Sequence, residues 1–397
     1  MPWKARSIMS QREEFVALAG AGMESVAALC RRFGICRETG HKWLKRHREL
    51  GPAGLADRSR RPRTSPKRCE DRVEHAVLAL RDEHPAWGGR KIRARLIALG
   101  RDHVPSASTI TAILHRHGRI TPEASQAATP WRRFEHDAPN DLWQMDFKGP
   151  VRLRRGTSFP LTILDDHSRY AVGLWSCGNQ QLQTVRDRLT LVFRRHGMPC
   201  RMLTDNGPPW GCPDERGAWT RLEIWLLKLG VLMIHGRPRH PQTQGKQERF
   251  HRTLEAELLR RAELRDHPHA QREFDRWRGV YNLERPHEAL GLEPPISRYA
   301  PSTRLFPEAL PACEPCPDDK PVRVTEGGRV RLSGTRWYLG DAWDQEVVGV
   351  RAGENDTQEV RFGPYLIGTI DPHDPGRRVR LVPLGRSAPS LHEPHAD

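Results

Sequence analysis

Hydrophobic positions recur at helical spacing in the first fifty residues. Ser10 stands three residues before Glu13, a pattern typical of the start of a helix. Two further helices are predicted over residues 25–33 and 37–47, joined by a short turn that contains Gly34. In a helix-turn-helix of these proportions, the second helix enters the major groove of DNA. Residues 1–50 are therefore predicted to form an all-α DNA-binding domain.

The second predicted helix carries polar and basic side chains that suit contacts with DNA. The candidates are Arg37, Thr39, His41, Lys42, Lys45 and Arg46. A basic helical bundle with a solvated face is the alternative interpretation. Residues 51–67 are rich in Pro, Gly and Arg and are predicted to be a basic linker, because they contain too few apolar positions to form a core. Phosphate contacts are expected from Arg60, Arg61 and Arg63.

Residues 68–120 repeat the helical pattern. Helices are predicted over residues 70–84, 90–99 and 106–117, and Pro85, Gly100 and Gly118 stand at their ends. The last two have helix-turn-helix proportions, and Ser108, Thr109 and Arg116 are the candidate DNA contacts. Two such modules joined by a basic linker predict a long, bipartite recognition site.

Residues 137–303 alternate between two periodicities. The predicted strands cover residues 141–149, 158–164, 170–176, 201–204 and 231–234, and the predicted helices cover residues 180–196, 219–229 and 243–261. A helical extension follows. Strands first, and then alternating helices and strands, indicate an α/β domain in which helices cover both faces of a mixed sheet. At the turn after the second strand, we expect Asp166 to bond the turn backbone.

Short alternating strands, broken by Gly, Asp and Asn, occupy residues 320–375. This pattern predicts a small SH3-like β-barrel. Residues 376–397 are predicted to be a disordered tail. The chain is thus expected to be multidomain, with two all-α modules, an α/β core and a C-terminal β-barrel.

The distribution of charge along the chain indicates the kind of partner that the protein binds. The 397 residues carry a formal net charge of +16. Residues 1–65 hold 14 Lys and Arg against 6 Asp and Glu, whereas residues 320–397 hold 11 of each kind. A positive charge concentrated at the start of the chain indicates a DNA-binding arm, so double-stranded DNA is the expected partner.

The sequence contains no apolar run long enough to span a membrane, and its start lacks the apolar segment of a signal peptide. We therefore expect a cytoplasmic protein with no membrane partner. The eight cysteines are irregularly spaced, which favours a reducing compartment. Cys313 and Cys316 form a single CxxC without a second pair nearby. A zinc-finger-like set that begins with Cys30 is interpreted as core packing, because Cys30 falls on an apolar helix face.

Three acidic residues of the α/β domain stand in distinctive surroundings. Asp146 and Asp205 each end an apolar, strand-like run, and Glu248 follows a loop at the head of a long helix. Such positions can meet at one edge of a sheet. Carboxylate oxygens suit Mg²⁺ or Mn²⁺, and two such ions can assist displacement at phosphorus without a covalent nucleophile. We predict a two-ion site held by these three acids; each alone would be an ordinary strand-end or helix-start residue.

Together these acids resemble the Asp, Asp, Glu triad of the integrase catalytic core, and the wider motif set resembles that of insertion-sequence family 481 transposases. The matching segments include His84-Pro85-Ala86-Trp87-Gly88, Leu164-Asp165-Asp166-His167-Ser168-Arg169-Tyr170, Asp205-Asn206-Gly207, Trp210-Gly211, Gly245-Lys246-Gln247-Glu248-Arg249-Phe250-His251-Arg252, Tyr281-Asn282 and Arg285-Pro286-His287. The resemblance implies a ribonuclease H-like core, Mg²⁺ or Mn²⁺ as cofactor, and catalysis by Asp146, Asp205 and Glu248.

The resemblance to these transposases also implies DNA transposition in the cytoplasm of a bacterial cell, in association with the nucleoid. Water cleaves at the element ends to free 3′ hydroxyls, which then attack target DNA. Because two ends must be held together, we expect a homo-oligomer. A basic loop over residues 236–245 precedes Glu248 and is expected to close over a DNA end. The candidate DNA contacts in and after this loop are Arg237, Arg239, Gln244, Lys246, Arg249 and Arg252.

Two features depart from the pattern of the resembling enzymes. The interval between Asp205 and Glu248 is longer than in many relatives. The position seven residues after Glu248, often Lys or Arg in such enzymes, is Glu255 here. On a continuous helix, Glu255 would face the donor DNA strand and repel its phosphate, and Arg249 or Arg252 would have to replace the missing cation.

Two other functions fit parts of this pattern. A metal-dependent nuclease could use the same core, and a transcriptional regulator could retain an inactive one. The intact set of three acids argues against the regulator, because DNA binding alone does not require them.

Deletion of residues 1–65 is expected to abolish binding specific for the element ends. The deletion removes half of the formal net charge together with the first predicted reader helix, so the salt dependence of the remaining binding should become shallower. Footprinting and binding titrations over a salt series measure both effects. A footprint of unchanged length would contradict the bipartite recognition site.

Overall fold

The computed structural model describes residues 8–57, 69–120, 135–211, 219–235 and 245–382. Six candidate DNA contacts lie outside these ranges: Arg60, Arg61, Arg63, Arg237, Arg239 and Gln244. Nearly all of the basic loop over residues 236–245 also lies outside them. The chain divides into two compact units, Met1–Arg68 and Cys69–Asp397.

The first unit consists of three helices and a short 3-10 turn. The helices are α1 (Ile8–Ala21), α2 (Val26–Arg32) and α3 (Arg37–Leu50), and the turn covers Gly51–Leu55. Cys30 is buried with Phe15, as its apolar position predicts. A Cβ atom on Gly40 would lie 2.5 Å from the Cys30 sulfur, so glycine at this position allows α3 to pack closely on α2.

The second unit begins with another three-helix module. Its helices are α4 (Asp71–Glu83), α5 (Gly89–Ala98) and α6 (Ala107–Arg116). Val77, Trp87, Ile92 and Ile110 are among the residues of its core. The hydroxyl of Ser106 accepts a hydrogen bond from the Thr109 amide and caps α6. Both predicted helix-turn-helix regions are therefore helical in the structure.

A six-stranded sheet forms the centre of the second unit. Its strands are β1 (Leu142–Phe147), β2 (Val151–Arg152), β3 (Thr157–Asp165), β4 (Ala171–Cys177), β5 (Arg201–Thr204) and β6 (Leu232–His235). The order is β2-β3-β1-β5-β6, and β4 also pairs with β3. The pairings of β3 with β1, β2 and β4 are antiparallel, whereas β1–β5 and β5–β6 are parallel. The sheet is thus mixed, as the sequence predicts.

Helices cover both faces of this sheet. They are α7 (Leu182–His196), α8 (Arg221–Lys228), α9 (Gly245–Leu254), a π-helical turn at Glu255–Leu259, and α10 (His267–Leu283). Met145 and Ile163 pack with α7 and α8, whereas Leu164 and Leu174 pack with α9 and α10. The separation follows from the strand period of two, which points alternate side chains to opposite faces. The core has the predicted ribonuclease H-like arrangement.

The helix α10 is attached to the sheet by a buried amide. Asn282 accepts a hydrogen bond from the Ala171 amide at 2.8 Å and donates to the Ala171 carbonyl at 3.0 Å. One side chain thus satisfies both backbone groups of a strand residue. Arg95 of α5 also pairs with Glu284, directly after α10. The second helical module is therefore attached to the same helical extension.

The C-terminal strands form an open sheet. They are β7 (Lys320–Arg323), β8 (Arg329–Leu332), β9 (Thr335–Tyr338), β10 (Val347–Ala352), β11 (Gln358–Phe362), β12 (Tyr365–Ile370) and β13 (Arg380–Leu381). Five pair in the order β13-β12-β11-β10-β7, and β8 pairs only with β9. The barrel predicted for residues 320–375 is not confirmed, because the ladder of the described strands does not close. A turn through Gly327 and Gly328, both with positive φ, separates the β8–β9 hairpin from β7. The strand β13 lies within the segment predicted to be disordered.

This C-terminal sheet packs on the core through α8. Ile224 and Leu227 of α8 share an apolar cluster with Trp343 and Val348. The ammonium of Lys228 lies 2.6 Å from a carboxylate oxygen of Glu346. None of the helices in the described part of the chain combines the length and apolarity needed to cross a membrane.

Replacement of Asn282 by Ala is expected to lower the free energy of unfolding by ~2–4 kcal/mol, because it leaves a buried backbone amide and carbonyl without their partner. The exposed Gln183, which donates to Asp187 at 2.8 Å, provides a control, and Gln183→Ala should change stability by less than about 0.5 kcal/mol. Urea denaturation measures both values. Equal stability of the two variants would show that Asn282 does not anchor α10.

Candidate active site

The parallel pairing of β1 with β5 brings two of the predicted catalytic acids to one end of the sheet. Gln144 of β1 lies opposite Leu203 of β5. Asp146 stands two residues further along β1, and Asp205 directly follows β5. Both chains run in the same direction, so both carboxylates emerge at the same end.

These two carboxylates interact electrostatically. The Asp146 side chain is 26% exposed. Burial raises the pKa of Asp146, and the negative charge of Asp205 raises it further, to about 7. Two partly buried like charges favour a proton or a cation between them.

The Asp205 side chain is fixed by donors from the loop that follows it. Its Oδ1 accepts a hydrogen bond from the Gly207 amide at 3.1 Å and another from Trp210 Nε1. The Trp210 ring is buried and stacks on Phe147 of β1, with 5.1 Å between ring centroids. Trp210 therefore connects the position of Asp205 to the strand that carries Asp146.

A histidine holds the backbone of Asp205. His235, at the end of β6, lies with its Nδ1 3.0 Å from the Asp205 carbonyl and its Nε2 2.9 Å from Glu223. Burial lowers the pKa of His235, but the hydrogen bonds to Glu223 and the Asp205 carbonyl outweigh it and leave the pKa raised. Glu223 also accepts from the Thr220 amide at the start of α8. These contacts connect β5, β6 and α8 behind the carboxylate.

The helix α9 is attached to the other side of Asp146. Gln247 donates to the Gln144 carbonyl at 2.7 Å. The Thr162 hydroxyl donates to the Asp146 carbonyl at 2.8 Å and lies 2.8 Å from His251 Nε2. Polar side chains thus join α9 to both β1 and β3 around the catalytic strand.

His251 is the residue of α9 that stands next to Asp146. Its Nδ1 lies 3.9 Å from an Asp146 carboxylate oxygen. Burial and the nearby charge of Lys148 lower the pKa of His251 to about 4, so the ring is neutral at pH 7. The sequence pattern predicted no role for His251, although this residue lies within the motif around Glu248.

Glu248 occupies a different position from the two aspartates. It lies in the first turn of α9 and is exposed, without an ion pair to another described residue. The described residues contain no group of three His, Cys, Asp or Glu side chains arranged to hold a metal ion. The structure therefore brings Asp146 and Asp205 together and leaves Glu248 on the adjacent helix surface.

The aspartate pair has the chemistry of a divalent-cation site. Both donors are hard oxygens, which Mg²⁺ and Mn²⁺ prefer. The mutual repulsion that raises the pKa of Asp146 would be relieved by a bound cation. The two aspartates therefore fit such an ion.

Several residues predicted to contact DNA also make contacts within the protein. Lys246 Nζ lies 2.5 Å from the buried carboxylate of Asp166, and Arg116 pairs with the buried Glu74. Arg46 stacks over the Trp43 ring and donates to the Ala56 carbonyl. Burial of an ionised carboxylate is costly unless the group is paired or hydrogen-bonded, which explains the first two pairings. Thr109 contributes its amide to the cap of α6, and the Ser108 hydroxyl bonds that of Ser106.

The remaining described candidates are on the surface. Arg37, His41, Lys42 and Lys45 are exposed along α3, and Thr39 is half-buried. Arg252 is exposed on α9, and Arg249 is 65% exposed and 3.9 Å from Glu288. These side chains are available to DNA.

The turn at Asp165 and Asp166 differs from the sequence interpretation. The role expected of Asp166 belongs to Asp165, which accepts from the Ser168 amide at 2.8 Å and from the Asn140 amide at 2.7 Å. Asp166 instead accepts from Gln144 at 2.7 Å, in addition to Lys246. Burial raises the pKa of Asp165.

Glu255 does not present an unpaired carboxylate. Its Oε2 lies 2.8 Å from the ammonium of Lys148, and the hydrogen bond lowers the pKa of Glu255. The π-helical turn begins at Glu255. The α-helix that carries Glu248 thus extends to Leu254, directly before Glu255, whose carboxylate pairs with Lys148.

Comparison with known families agrees with this geometry. Integrase core domain models match residues 136–241 and 229–295. A helix-turn-helix domain model matches residues 11–63, and a homeodomain-like domain model matches residues 39–114. The α/β core is thus similar to integrase core domains, and the helical regions before it are similar to helix-turn-helix domains.

The similar proteins include bacterial and viral ones. An insertion element IS476 protein of Xanthomonas euvesicatoria is 24% identical over 68% of this chain and 77% of its own length. An insertion element IS407 protein of Burkholderia multivorans is 27% identical over 43% of this chain and 59% of its length. The Koala retrovirus Gag-Pol polyprotein is 24% identical over 40% of this chain and 9% of the polyprotein. This chain thus spans less than two thirds of several relatives it matches.

Among solved structures, the simian T-cell lymphotropic virus intasome in complex with PP2A regulatory subunit B56 gamma covers 72% of this chain and 91% of the matched chain. The identity is 12% and the TM-score is 0.38. The HTLV-2 integrase catalytic core domain in complex with magnesium covers 41% of this chain and 99% of its own, at 13% identity and a TM-score of 0.32.

Replacement of Asp146 by Asn should stabilise the metal-free protein at about pH 8. The raised pKa means that the folded state prefers the protonated acid, so this contribution to stability is complete below the ordinary pKa of 3.8 and is lost as the pH rises through about 7. The difference is worth at most roughly 4 kcal/mol, at about 1.4 kcal/mol per pKa unit. Partial exposure reduces the expected gain to ~1–3 kcal/mol.

The measurement is thermal or urea denaturation in a chelator, at about pH 8 and about pH 4. Glu248→Gln is the matched control, since Glu248 is exposed. A gain from Asp146→Asn that is the same at both pH values would show that it comes from packing and not from the ionised carboxylate.

Proposed function

We propose that this protein is a DNA transposase of the insertion-sequence family 481 type. It would bind the ends of its element, cleave them to expose 3′ hydroxyls and join these to target DNA. The observation that carries the proposal is the interacting pair Asp146 and Asp205, in a domain that matches the integrase core.

The chain's own residues would prepare the site for phosphoryl transfer. Asp146 and Asp205, with Glu248 from α9, would hold two Mg²⁺ or Mn²⁺ ions, which activate the attacking oxygen and stabilise the leaving one when bound. Trp210 and Gly207 keep the Asp205 carboxylate in one orientation. Because the pKa of His251 is lowered to about 4, its neutral ring adds no positive charge that would compete with a cation beside Asp146.

DNA binding would use basic surfaces in each of the two compact units. The exposed cations of α3 suit the major groove, and Arg249 and Arg252 stand on α9 close to Glu248. The latter two would contact phosphates near the bond that is cleaved. Because cleavage and joining act on two ends at once, the active form would be a homo-oligomer.

The relatives support the same proposal. Two of them are insertion-element proteins, and one of these matches over two thirds of this chain. If the proposal is correct, the coding region should lie between short inverted repeats that are flanked by a duplicated target sequence.

Asp146→Asn, Asp205→Asn and Glu248→Gln should each abolish cleavage and joining in Mg²⁺, with a loss of at least about a hundredfold. Affinity for the element ends should remain within a few fold of the wild-type value, because most DNA contacts lie elsewhere. Glu263→Gln, at a carboxylate that is 80% exposed, is the control and should keep wild-type activity.

The assay uses oligonucleotide duplexes that carry the terminal repeat and a supercoiled target plasmid. Joining at a near wild-type rate by any one of the three variants would contradict the assignment of these three acids as catalytic residues. The Glu248 variant is the most informative, because Glu248 stands apart from the aspartate pair. Cleavage by the wild-type protein without any joining would instead favour a metal-dependent nuclease.

A further inference from the structure

Lys148 stands on the same strand face as Asp146. Its backbone amide donates to the Pro160 carbonyl at 2.9 Å, which continues the β1–β3 ladder one residue beyond the last pair, Phe147 and Leu161. In an extended strand, residues two apart point to the same side. The ammonium of Lys148 therefore extends from the side of the sheet that carries the catalytic carboxylate.

Glu255 holds this ammonium close to α9. The Lys148 Nζ lies 2.8 Å from Glu255 Oε2, and the two side chains are 21% and 34% exposed. Lys148 is thus a cation held at the end of α9, on a strand position two residues after Asp146.

The carboxylate of Glu255 is shared by two cations. Arg260 lies 3.5 Å from its Oε1, so two positive charges face one negative charge. A partly exposed ion pair contributes little to stability, because water competes for both partners. A phosphate that approaches from solvent can therefore replace Glu255 as the partner of the Lys148 ammonium without a large loss of protein stability.

We propose that Lys148 binds a DNA phosphate next to the bond that is cleaved, and that Glu255 positions the ammonium before DNA arrives. The inference rests on the proposed transposase function. It assigns a role to an acid that would otherwise repel DNA near the site: Glu255 orients a cation that the strand supplies. Lys148 is a DNA-binding residue in this scheme, and Glu255 is a positioning residue.

The test compares two ion pairs of similar burial. Lys148→Met and Glu255→Gln remove the two halves of the proposed contact. Lys228→Met and Glu346→Gln remove the halves of a pair that is 2.6 Å apart, with side chains 19% and 24% exposed, in the C-terminal sheet contact. The probe is a pre-cleaved duplex with the terminal repeat that flanks the gene, and its affinity is measured in Mg²⁺ over a salt series.

We expect Lys148→Met to weaken binding roughly three- to tenfold and to reduce the slope of log affinity against log salt by about 0.9, the value for one lost phosphate contact. Lys148→Arg should restore the slope. Glu255→Gln should keep the slope, because the cation remains, and should weaken binding less than Lys148→Met does, because the ammonium is no longer positioned. Both control variants should match the wild type.

A phosphate scan locates the contact. Single neutral methylphosphonates, placed along the strand near the cleaved bond, should weaken wild-type binding at one position. At that position alone, the methylphosphonate should not weaken DNA binding by Lys148→Met. Lys228→Met should show the same profile as the wild type.

Three results would overturn the inference. One is an equal loss of binding in Lys148→Met and Glu255→Gln, which indicates a structural pair. Another is an unchanged salt slope in Lys148→Met, and the third is a methylphosphonate profile that Lys148→Met does not alter. A failure of the transposase proposal itself would give a different result. The wild-type protein would then not cleave the uncut duplex in Mg²⁺, whatever the Lys148 variants do.

Discussion

The parallel pairing of β1 with β5 is the constraint on which the rest of the site depends. It forces Asp146 and Asp205 to the same end of the sheet, although β3, β4 and α7 lie between them in the sequence. The cost is mutual repulsion, visible in the raised pKa of Asp146. The surrounding hydrogen bonds hold this arrangement in place, and they are directed at the backbone and at Asp205 more than at the Asp146 carboxylate.

The two sides of the aspartate pair are supported differently. Behind Asp205, Trp210 and His235 connect its side chain and carbonyl to neighbouring strands. Beside Asp146, Gln247 and His251 join α9 to β1 and β3. One result is that Glu248 stands on a helix that is itself anchored to the strand that carries Asp146.

Ion pairs also determine which basic residues remain available to DNA. Lys246 and Arg116 compensate buried carboxylates, so they belong to the fold. Lys148, Arg249 and Arg252 lie where a polyanion can reach them. The second helical module contacts the segment directly after α10 through the ion pair of Arg95 with Glu284.

Sequence alone determined the features that depend on local periodicity and on composition. The helices of the two DNA-binding regions, the strands that carry Asp146 and Asp205, and the basic start of the chain follow from spacing, caps and charge. Tertiary structure decided what each polar side chain contacts. Lys246 pairs with Asp166 and Lys148 pairs with Glu255, and the members of each pair are far apart in the sequence. It also decided that the C-terminal ladder stays open and that the helix after Glu248 changes to a π-helical turn at Glu255. The physical reason is that periodicity reports which face of an element is buried, whereas the partner of a charge depends on which other elements pack against that face.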